Sequence, residues 1–143
     1  MGLNIVIVGA SGDLAQRKLL PALFSLYAQK LLPVEFHVFG FARTAMTDAE
    51  FRQRTAENLM CRYTPEAREC AALTEQFLAR CHYVAGGYGD RGSYLDLAEA
   101  IRRVSGGLDG ERVFYLAIPP SVFMEVARAI GDSGLVNCDG LPA

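Results

Sequence analysis

The stretch Leu3–Gln16 constrains the fold of this chain more than any other. Leu3–Val8 is an apolar run with β-branched members, which predicts a strand buried on both faces, as in the centre of a parallel sheet. The turn Gly9-Ala10-Ser11-Gly12 follows at once, and a helical pattern begins at Asp13. The backbone must bend sharply at the first glycine, and a Cβ atom at the second would block the close approach of a ligand. The amides that open the next helix would face whatever lies over the turn, which is a geometry suited to a pyrophosphate.

The rest of the chain alternates between strand and helix patterns. Apolar spacing predicts a helix over 13–29 that Pro21 interrupts and restarts. Further strands are predicted at Glu35–Phe41, His82–Ala85 and Val113–Ile118. Further helices are predicted from Asp48 with Thr47 and Glu50 as a capping box, from Pro65 with Thr64 as cap, from Ser93 as cap, and from Val122.

This alternation predicts an α/β fold, a Rossmann-like doubly wound parallel sheet with strand order 3-2-1-4. The ligand crevice of such a sheet lies where the strand order reverses, between strands 1 and 4. Gly9–Asp13 and Pro119–Phe123 meet there. We therefore interpret residues 1–143 as one dinucleotide-binding domain. The alternative is that the glycines serve only to reverse the chain direction.

Arg43 indicates which dinucleotide the site takes. Folds that bind NAD carry an acidic residue at the end of the second strand for the ribose 2′-hydroxyl. Here that end reads Phe41-Ala42-Arg43-Thr44, with no acid before Asp48. A guanidinium at this place matches the 2′-phosphate of NADP, and the Thr44 hydroxyl can add a donor. The alternative is that Arg43 is a solvated loop charge.

Other polar side chains carry weaker signals. Asp13 serves equally well as a helix cap or a ligand contact, and Gln16, Arg17 and Lys18 are interpreted mainly as a solvated first turn. The aromatic residues mostly fall at core spacing and are interpreted as packing, and His37 alternates with strand neighbours and is interpreted as structural. No nucleophile with a supporting base is found, so no catalytic residue is assigned.

Composition excludes several classes of function. A net charge of −2 gives no reason to expect nucleic acid or an anionic membrane as partner. The four cysteines show no C-x-x-C pair and no metal-site spacing to a histidine, so no metal site is predicted. We expect free thiols in a reducing compartment, and hence a cytoplasmic protein.

Five stretches of the chain resemble the opening of the glucose-6-phosphate dehydrogenase family, in the same order. The resemblance runs from Ile5 to about Ile130, and its first and last motifs together are specific. The stretches are Gly9–Ala15, Arg17–Leu23, Gly40–Arg43, Tyr83–Tyr88 and Phe114–Phe123.

The resemblance implies an oxidoreductase of the oxidative pentose phosphate pathway that oxidises glucose 6-phosphate to the lactone and passes a hydride to NADP. By resemblance Phe123 lies along the cofactor, where family members carry Tyr, and Lys18 matches a basic position near the site. Arg43 matches the 2′-phosphate contact. The dinucleotide turn is Gly9, Ala10, Ser11, Gly12, Asp13, Leu14, Ala15 and Gln16.

The family's E-K-P segment, its H-Y-L-G-K motif and its catalytic histidine do not occur in this sequence. The resemblance therefore implies that the chain is the cofactor domain without the substrate domain. We expect it to bind NADP weakly and to be inactive alone. We expect glucose 6-phosphate as the substrate of the full-length enzyme, and a homo-oligomeric state for that enzyme.

Three other interpretations stay open. A short-chain-type reductase or nucleotide-sugar epimerase would have glycine at position 15, where this chain has Ala15. It would also have a Tyr-x-x-x-Lys pair, which this sequence lacks. A non-catalytic NADP-sensing module would need no second domain. A protein-interaction domain with an incidental glycine turn would show no saturable NADP binding.

Overall fold

The computed structural model describes residues 2–61, 66–106 and 111–135. Its sheet is parallel and has the order β3-β2-β1-β4, which confirms the predicted doubly wound topology. At the carboxyl end of β1, Val8 pairs with Phe41 on one side and Leu116 on the other. The strands are β1 (Leu3–Val8), β2 (Phe36–Ala42), β3 (Cys81–Ala85) and β4 (Glu111–Leu116).

Helices cover both faces of this sheet, and each face has its own apolar core. Ile5 and Ile7 of β1 pack with α1 (Leu20–Ala28), α2 (Asp48–Ala56) and α3 (Ala67–Leu78). The alternate β1 residues Val6 and Val8 point to the other face. There they pack with α4 (Arg91–Ser105) and α5 (Phe123–Asp132). Both faces of β1 are buried, as the continuous apolar run predicts.

The predicted break at Pro21 occurs as a change of helix type. Ala15–Leu19 forms a π-helical segment, in which the Leu20 amide donates to the Ala15 carbonyl, and α1 continues from Leu20 with Pro21 in its first turn. Proline has no N–H to donate to the carbonyl four residues back. A wider turn immediately before it is a common way to accommodate such a break.

Helix ends match the predictions only in part. The Thr47–Glu50 capping box is present. The Glu50 amide donates to the Thr47 hydroxyl at 3.1 Å, and the Thr47 amide donates to the Glu50 carboxylate at 3.0 Å. The predicted Ser93 cap is wrong, because α4 begins at Arg91 with Asp90 as its N-cap, and Ser93 lies inside the helix. Helix α3 begins at Ala67, later than predicted, while the predicted cap Thr64 lies outside the described residues.

The expectation of four free thiols is wrong for one pair. Cys61 and Cys70 form a disulfide with their Cα atoms 5.7 Å apart, and it ties the chain after α2 to the first turn of α3. Their separation of nine residues matches no redox or metal motif, so spacing gave no signal. Cys81 is a buried free thiol, and burial raises its pKa to about 12. Cys138 lies outside the described residues.

The two edges of the sheet differ. At the β3 edge, the Tyr83 amide donates to the Asp48 carboxylate at 2.8 Å, and the Arg52 side chain donates to the Cys81 carbonyl at 2.8 Å. At the β4 edge, Val113 and Tyr115 are half exposed beside β1 and α1. Side chains of helix α2 therefore occupy hydrogen-bonding groups at the β3 edge.

Across the three described ranges, no helix has both the length and the apolarity needed to cross a bilayer.

Candidate dinucleotide site

The turn after β1 requires glycine at its first position. Gly9 has a φ of +91°, a conformation that L side chains rarely adopt. A Cβ atom built there would lie 2.3 Å from the Ala117 carbonyl oxygen, which follows β4. The corner after β1 and the corner after β4 are thus in direct contact. The fold brings the two predicted loops together at the carboxyl edge of the sheet, where strand order reverses.

Three amides of the turn are used by the protein itself. Gly9 and Ala10 donate to the Phe41 carbonyl at 2.7 Å and 3.3 Å, and Gly12 donates to the Gly9 carbonyl at 3.1 Å. These bonds fasten the turn to the end of β2. Among the hydrogen bonds of the described residues, none has the amide of Ser11 or Asp13 as donor. Only part of the expected set of bare amides is therefore available to an anion.

Gly12 differs from Gly9, because nothing inside the fold requires a glycine there. A Cβ atom at Gly12 would meet only the Gly9 carbonyl oxygen, at an ordinary 3.4 Å, and the residue is exposed. Its φ lies outside the left-handed region. Its missing side chain keeps the outer surface of the turn open, which supports the interpretation that a ligand approaches there.

The other predicted turn residues divide into buried and exposed groups. Ala10 and Ala15 are completely buried, so their small side chains allow close packing of turn and helix against the sheet. Asp13 and Leu14 are exposed, and the Asp13 carboxylate lies 3.9 Å from the Arg17 guanidinium. This exposed pair contributes little to stability.

Gln16 corrects one expectation, since it is buried rather than part of a solvated turn. Its Nε2 donates to the Ala10 carbonyl at 3.0 Å, and its Oε1 accepts from Asn58 at 3.5 Å. The side chain holds the shape of the turn from within. Sequence reasoning missed this because the binding partner, a backbone carbonyl six residues away, follows only from the turn's conformation.

Arg43 and Thr44 lie at the end of β2, beside the glycine turn. The Thr44 hydroxyl donates to the Ser11 hydroxyl at 3.4 Å, so the two corners meet through side chains. Arg43 is exposed, and its guanidinium lies over the Tyr88 ring, 5.1 Å from the ring centroid. One cation and two hydroxyl groups thus gather at this corner, which is a donor set suited to a phosphate.

Tyr88 is the residue that sequence reasoning missed. The sequence predicts a loop at Gly86–Gly89, but the aromatic residues are interpreted mostly as core packing, so Tyr88 is not assigned to the site. In the structure it is partly buried in the loop that follows β3. Loops after parallel strands meet at one edge of the sheet. That topological signal was present in the sequence and was not applied to the Gly86–Gly89 loop.

Phe123 also lies at this edge. It is the first residue of α5 and follows a 3₁₀ turn at Pro120–Val122. The residue is 38% exposed. An exposed ring beside the β1–β4 crevice provides a flat apolar surface for a ligand.

The two histidines lie elsewhere. His37 is near the amino end of β2, in register with Asn4, while His82 pairs with Phe39 near the middle of the sheet. Burial lowers the pKa of both, for His82 to about 4, with the Asp48 carboxylate opposing the shift. Neither is placed to act at the carboxyl edge. Among the described side chains, no group of three or more His, Cys, Asp or Glu is arranged to hold a metal ion.

Comparison with known proteins identifies a family. The model of the glucose-6-phosphate dehydrogenase NAD-binding domain matches residues 6–141. Glucose-6-phosphate 1-dehydrogenase 3, a chloroplastic protein of Arabidopsis thaliana, is 42% identical over 91% of this chain and 22% of its own length. A solved structure of glucose-6-phosphate dehydrogenase with its substrate glucose 6-phosphate superposes with a TM-score of 0.83 at 32% identity. That match covers 92% of this chain and 27% of the other.

The relatives correct the predicted location. Four further plant relatives at 41–42% identity are chloroplastic enzymes. The cytoplasmic glucose-6-phosphate 1-dehydrogenase 6 of Arabidopsis thaliana also matches, at 40% identity over 90% of this chain and 25% of its own length. The prediction of a cytoplasmic protein is therefore wrong as it stands, because this domain occurs in two compartments. It depended on free thiols, which the Cys61–Cys70 bridge also contradicts.

The chain thus spans about a quarter of the length of the relatives that it matches. Over that span it is 40–42% identical to two of these relatives and superposes on a solved structure with a TM-score of 0.83. It belongs to the family of glucose-6-phosphate dehydrogenase NAD-binding domains.

Proposed function

We propose that this domain binds NADP at the carboxyl edge of its sheet. We further propose that it is the cofactor domain of an enzyme that oxidises glucose 6-phosphate to 6-phosphogluconolactone. The observation that carries the proposal is the corner formed by Ser11, Arg43 and Thr44, where a guanidinium and two hydroxyl groups meet beside the glycine turn. In this proposal they hold the 2′-phosphate that distinguishes NADP from NAD.

Each part of the edge has a separate task in this arrangement. The amides of Ser11 and Asp13 donate to the pyrophosphate, which approaches over the open face of Gly12. Phe123, on the β4 side, packs along the cofactor. Its ring keeps a stacking surface but lacks the phenolic hydroxyl of family members that carry Tyr. The cofactor would extend from the end of β2 across β1 to the start of α5.

Bound NADP would supply the hydride acceptor for the oxidation at C1 of the sugar. The task of this chain's residues is to bind and orient the cofactor. The oxidation also needs a base for the C1 hydroxyl proton. His37 lies near the amino edge of the sheet and His82 near its middle, so neither reaches the carboxyl edge to serve as that base. We therefore assign no catalytic residue here, and we expect the chain alone to form no NADPH when given NADP and glucose 6-phosphate.

Calorimetric titration with NADP and NAD tests the proposal. Replacing Arg43 by alanine should weaken NADP binding by about ten- to a hundredfold, which corresponds to the loss of a hydrogen bond to a charged group. NAD binding should stay the same, because NAD has no 2′-phosphate. Equal weakening of both cofactors would contradict the assignment of Arg43.

Arg103→Ala is the matched control. Arg103 is an exposed arginine near the end of α4, which runs from the carboxyl edge back to the amino edge of the sheet. The substitution removes the same charge at a distance from the site and should leave both affinities unchanged. No saturable NADP binding by the wild-type chain at millimolar ligand would overturn the proposed function itself.

A further inference from the structure

A cation lies over an aromatic ring at the proposed 2′-phosphate corner. The Arg43 guanidinium carbon is 5.1 Å from the centroid of the Tyr88 ring. Within the described residues, Arg43 forms no salt bridge with a carboxylate. A guanidinium that stacks on a ring through its flat face keeps its N–H groups in the plane, where they can meet a phosphate.

Tyr88 is held in place by its surroundings. The Tyr94 hydroxyl donates to the Tyr88 backbone carbonyl at 2.6 Å, and the Tyr88 ring contacts the Phe41 ring, with centroids 6.3 Å apart. The preceding Gly87 amide donates to the Ser93 hydroxyl at 3.2 Å, and that hydroxyl donates to Asp90 at 2.6 Å. The loop after β3 is therefore fixed to α4 from both sides of Tyr88.

The chain on either side of Arg43 is also fixed. The Gly86 amide donates to the Ala42 carbonyl at 2.9 Å, which continues the sheet one residue beyond β3. The Tyr83 hydroxyl donates to the Thr44 carbonyl. The long Arg43 side chain is the remaining part of this corner, and its guanidinium lies over the Tyr88 ring. A side chain ordered before the ligand arrives loses less freedom on binding.

We propose that Tyr88 is a positioning residue that determines cofactor specificity: its ring holds the Arg43 guanidinium ready for the 2′-phosphate of NADP. This inference rests on the proposed function and adds to it a second residue, from a third loop. Tyr88 acts through Arg43, so its effect is on the preference for NADP over NAD.

Substitution of Tyr88 by leucine and by phenylalanine tests the inference, with NADP and NAD titrated in parallel. Tyr88→Leu removes the π face and should weaken NADP binding by about two- to fivefold, the range for an exposed cation–π contact. NAD binding should not change. Tyr88→Phe keeps the face and should bind both cofactors like wild type. Weakening of both cofactors by Tyr88→Leu would overturn the inference, since it would indicate a general role in the loop.

A double-mutant cycle separates this inference from the proposed function. In an Arg43→Ala background, Tyr88→Leu should have no further effect on NADP binding. If Arg43→Ala abolishes the preference for NADP and Tyr88→Leu leaves it intact, the inference is wrong and the proposed function stands. If the wild-type chain does not bind NADP, the proposed function is wrong.

A tryptophan at this position provides a measurement that does not depend on the leucine variant folding. The chain contains no tryptophan, so Tyr88→Trp introduces a single fluorophore at the site. Tryptophan is the strongest cation–π partner, and this variant should keep the preference for NADP. Its fluorescence should respond to NADP more than to NAD. An equal response to both, or none to NADP, would overturn the inference.

Discussion

At the scale of single residues, the two glycines of the turn have different reasons to be glycine. Gly9 is required by the fold, through its φ of +91° and its contact with the Ala117 carbonyl. Gly12 has neither constraint and opens toward the outside. The same residue type in one motif therefore serves the fold at one position and the proposed ligand at the other, and the two roles can be measured separately.

We expect Gly9→Ala to lower the free energy of unfolding by about 3–5 kcal/mol, because a left-handed backbone strain and a clash with a carbonyl oxygen act together. Urea denaturation measures the change. Gly106→Ala is the matched control, since Gly106 has a φ of +79° with nothing within 4 Å of the added Cβ atom. It should cost only about 1–2 kcal/mol. An equal loss in both variants would show that the Ala117 contact relaxes freely.

We expect Gly12→Ala to give the opposite pattern. Its free energy of unfolding should stay within about 0.5 kcal/mol of wild type, because the added methyl group makes only an ordinary contact. NADP affinity should fall by about tenfold or more, because the methyl group lies where the pyrophosphate approaches. Denaturation and calorimetry on the same preparation check both. Unchanged affinity would remove Gly12 from the proposed site.

At the scale of elements, strands β2 and β3 carry a pair of partly buried histidines whose ring centroids are 5.6 Å apart. His37 Nδ1 and His82 Nε2 are buried and have no hydrogen-bond partner among the described residues. Burial lowers the pKa of both rings, and nearby positive groups, Arg80 at His37 and Arg52 at His82, lower it further, against the opposing carboxylates of Glu35 and Asp48. The contact between these strands is therefore sensitive to acid.

We expect the free energy of unfolding to fall as the pH drops from about 6.5 toward 4. In this window the unfolded state binds a proton on His82 that the folded state, with a pKa of about 4, does not. The loss from His82 alone is about 2 kcal/mol between pH 8 and pH 5. Denaturant melts at several pH values measure it. The His82→Gln variant should lack this part of the pH dependence, and an identical pH profile for variant and wild type would contradict the assignment.

Strand order and the position of the glycine turn could be predicted from the sequence because both depend on local apolar patterns and chain topology. Helix ends were less predictable, because Ser93 and Asp90 are both good caps and the loop's hydrogen bonds decide between them. Gln16 could not be assigned, since its partner, the Ala10 carbonyl, comes close only in the folded chain. The loop after β3 places Tyr88 at the carboxyl edge from topology alone, but its contact with Arg43 also appears only in the folded chain.

At the scale of the whole molecule, the disulfide fixes the connection between α2 and α3 on one face of the sheet. It closes a short loop next to helix α2. The side chains of Asp48 and Arg52 from that helix also block the β3 edge. Loss of the bridge should therefore loosen the packing of α2 and α3. The proposed cofactor corner at Ser11, Arg43 and Thr44 should stay intact.

We expect Cys61→Ser to lower the free energy of unfolding by about 2–3 kcal/mol under oxidising conditions, because the short loop is no longer closed in the unfolded state. Under reducing conditions the variant and the wild type should have the same stability. NADP affinity should be unaffected in both. Equal stability of the two proteins without reductant would show that the bridge does not form in solution.

The two edges of the sheet differ in how readily a further strand could pair with them. Any strand that extends this sheet must join at β4, where Val113 and Tyr115 offer an apolar flank, because α2 occupies the opposite side. Arg43 and Tyr88 lie toward the occupied side, and Phe123 lies toward the extendable one. A partner domain added by extension would consequently arrive next to the reactive nicotinamide half of the proposed cofactor, with the adenosine half anchored behind it.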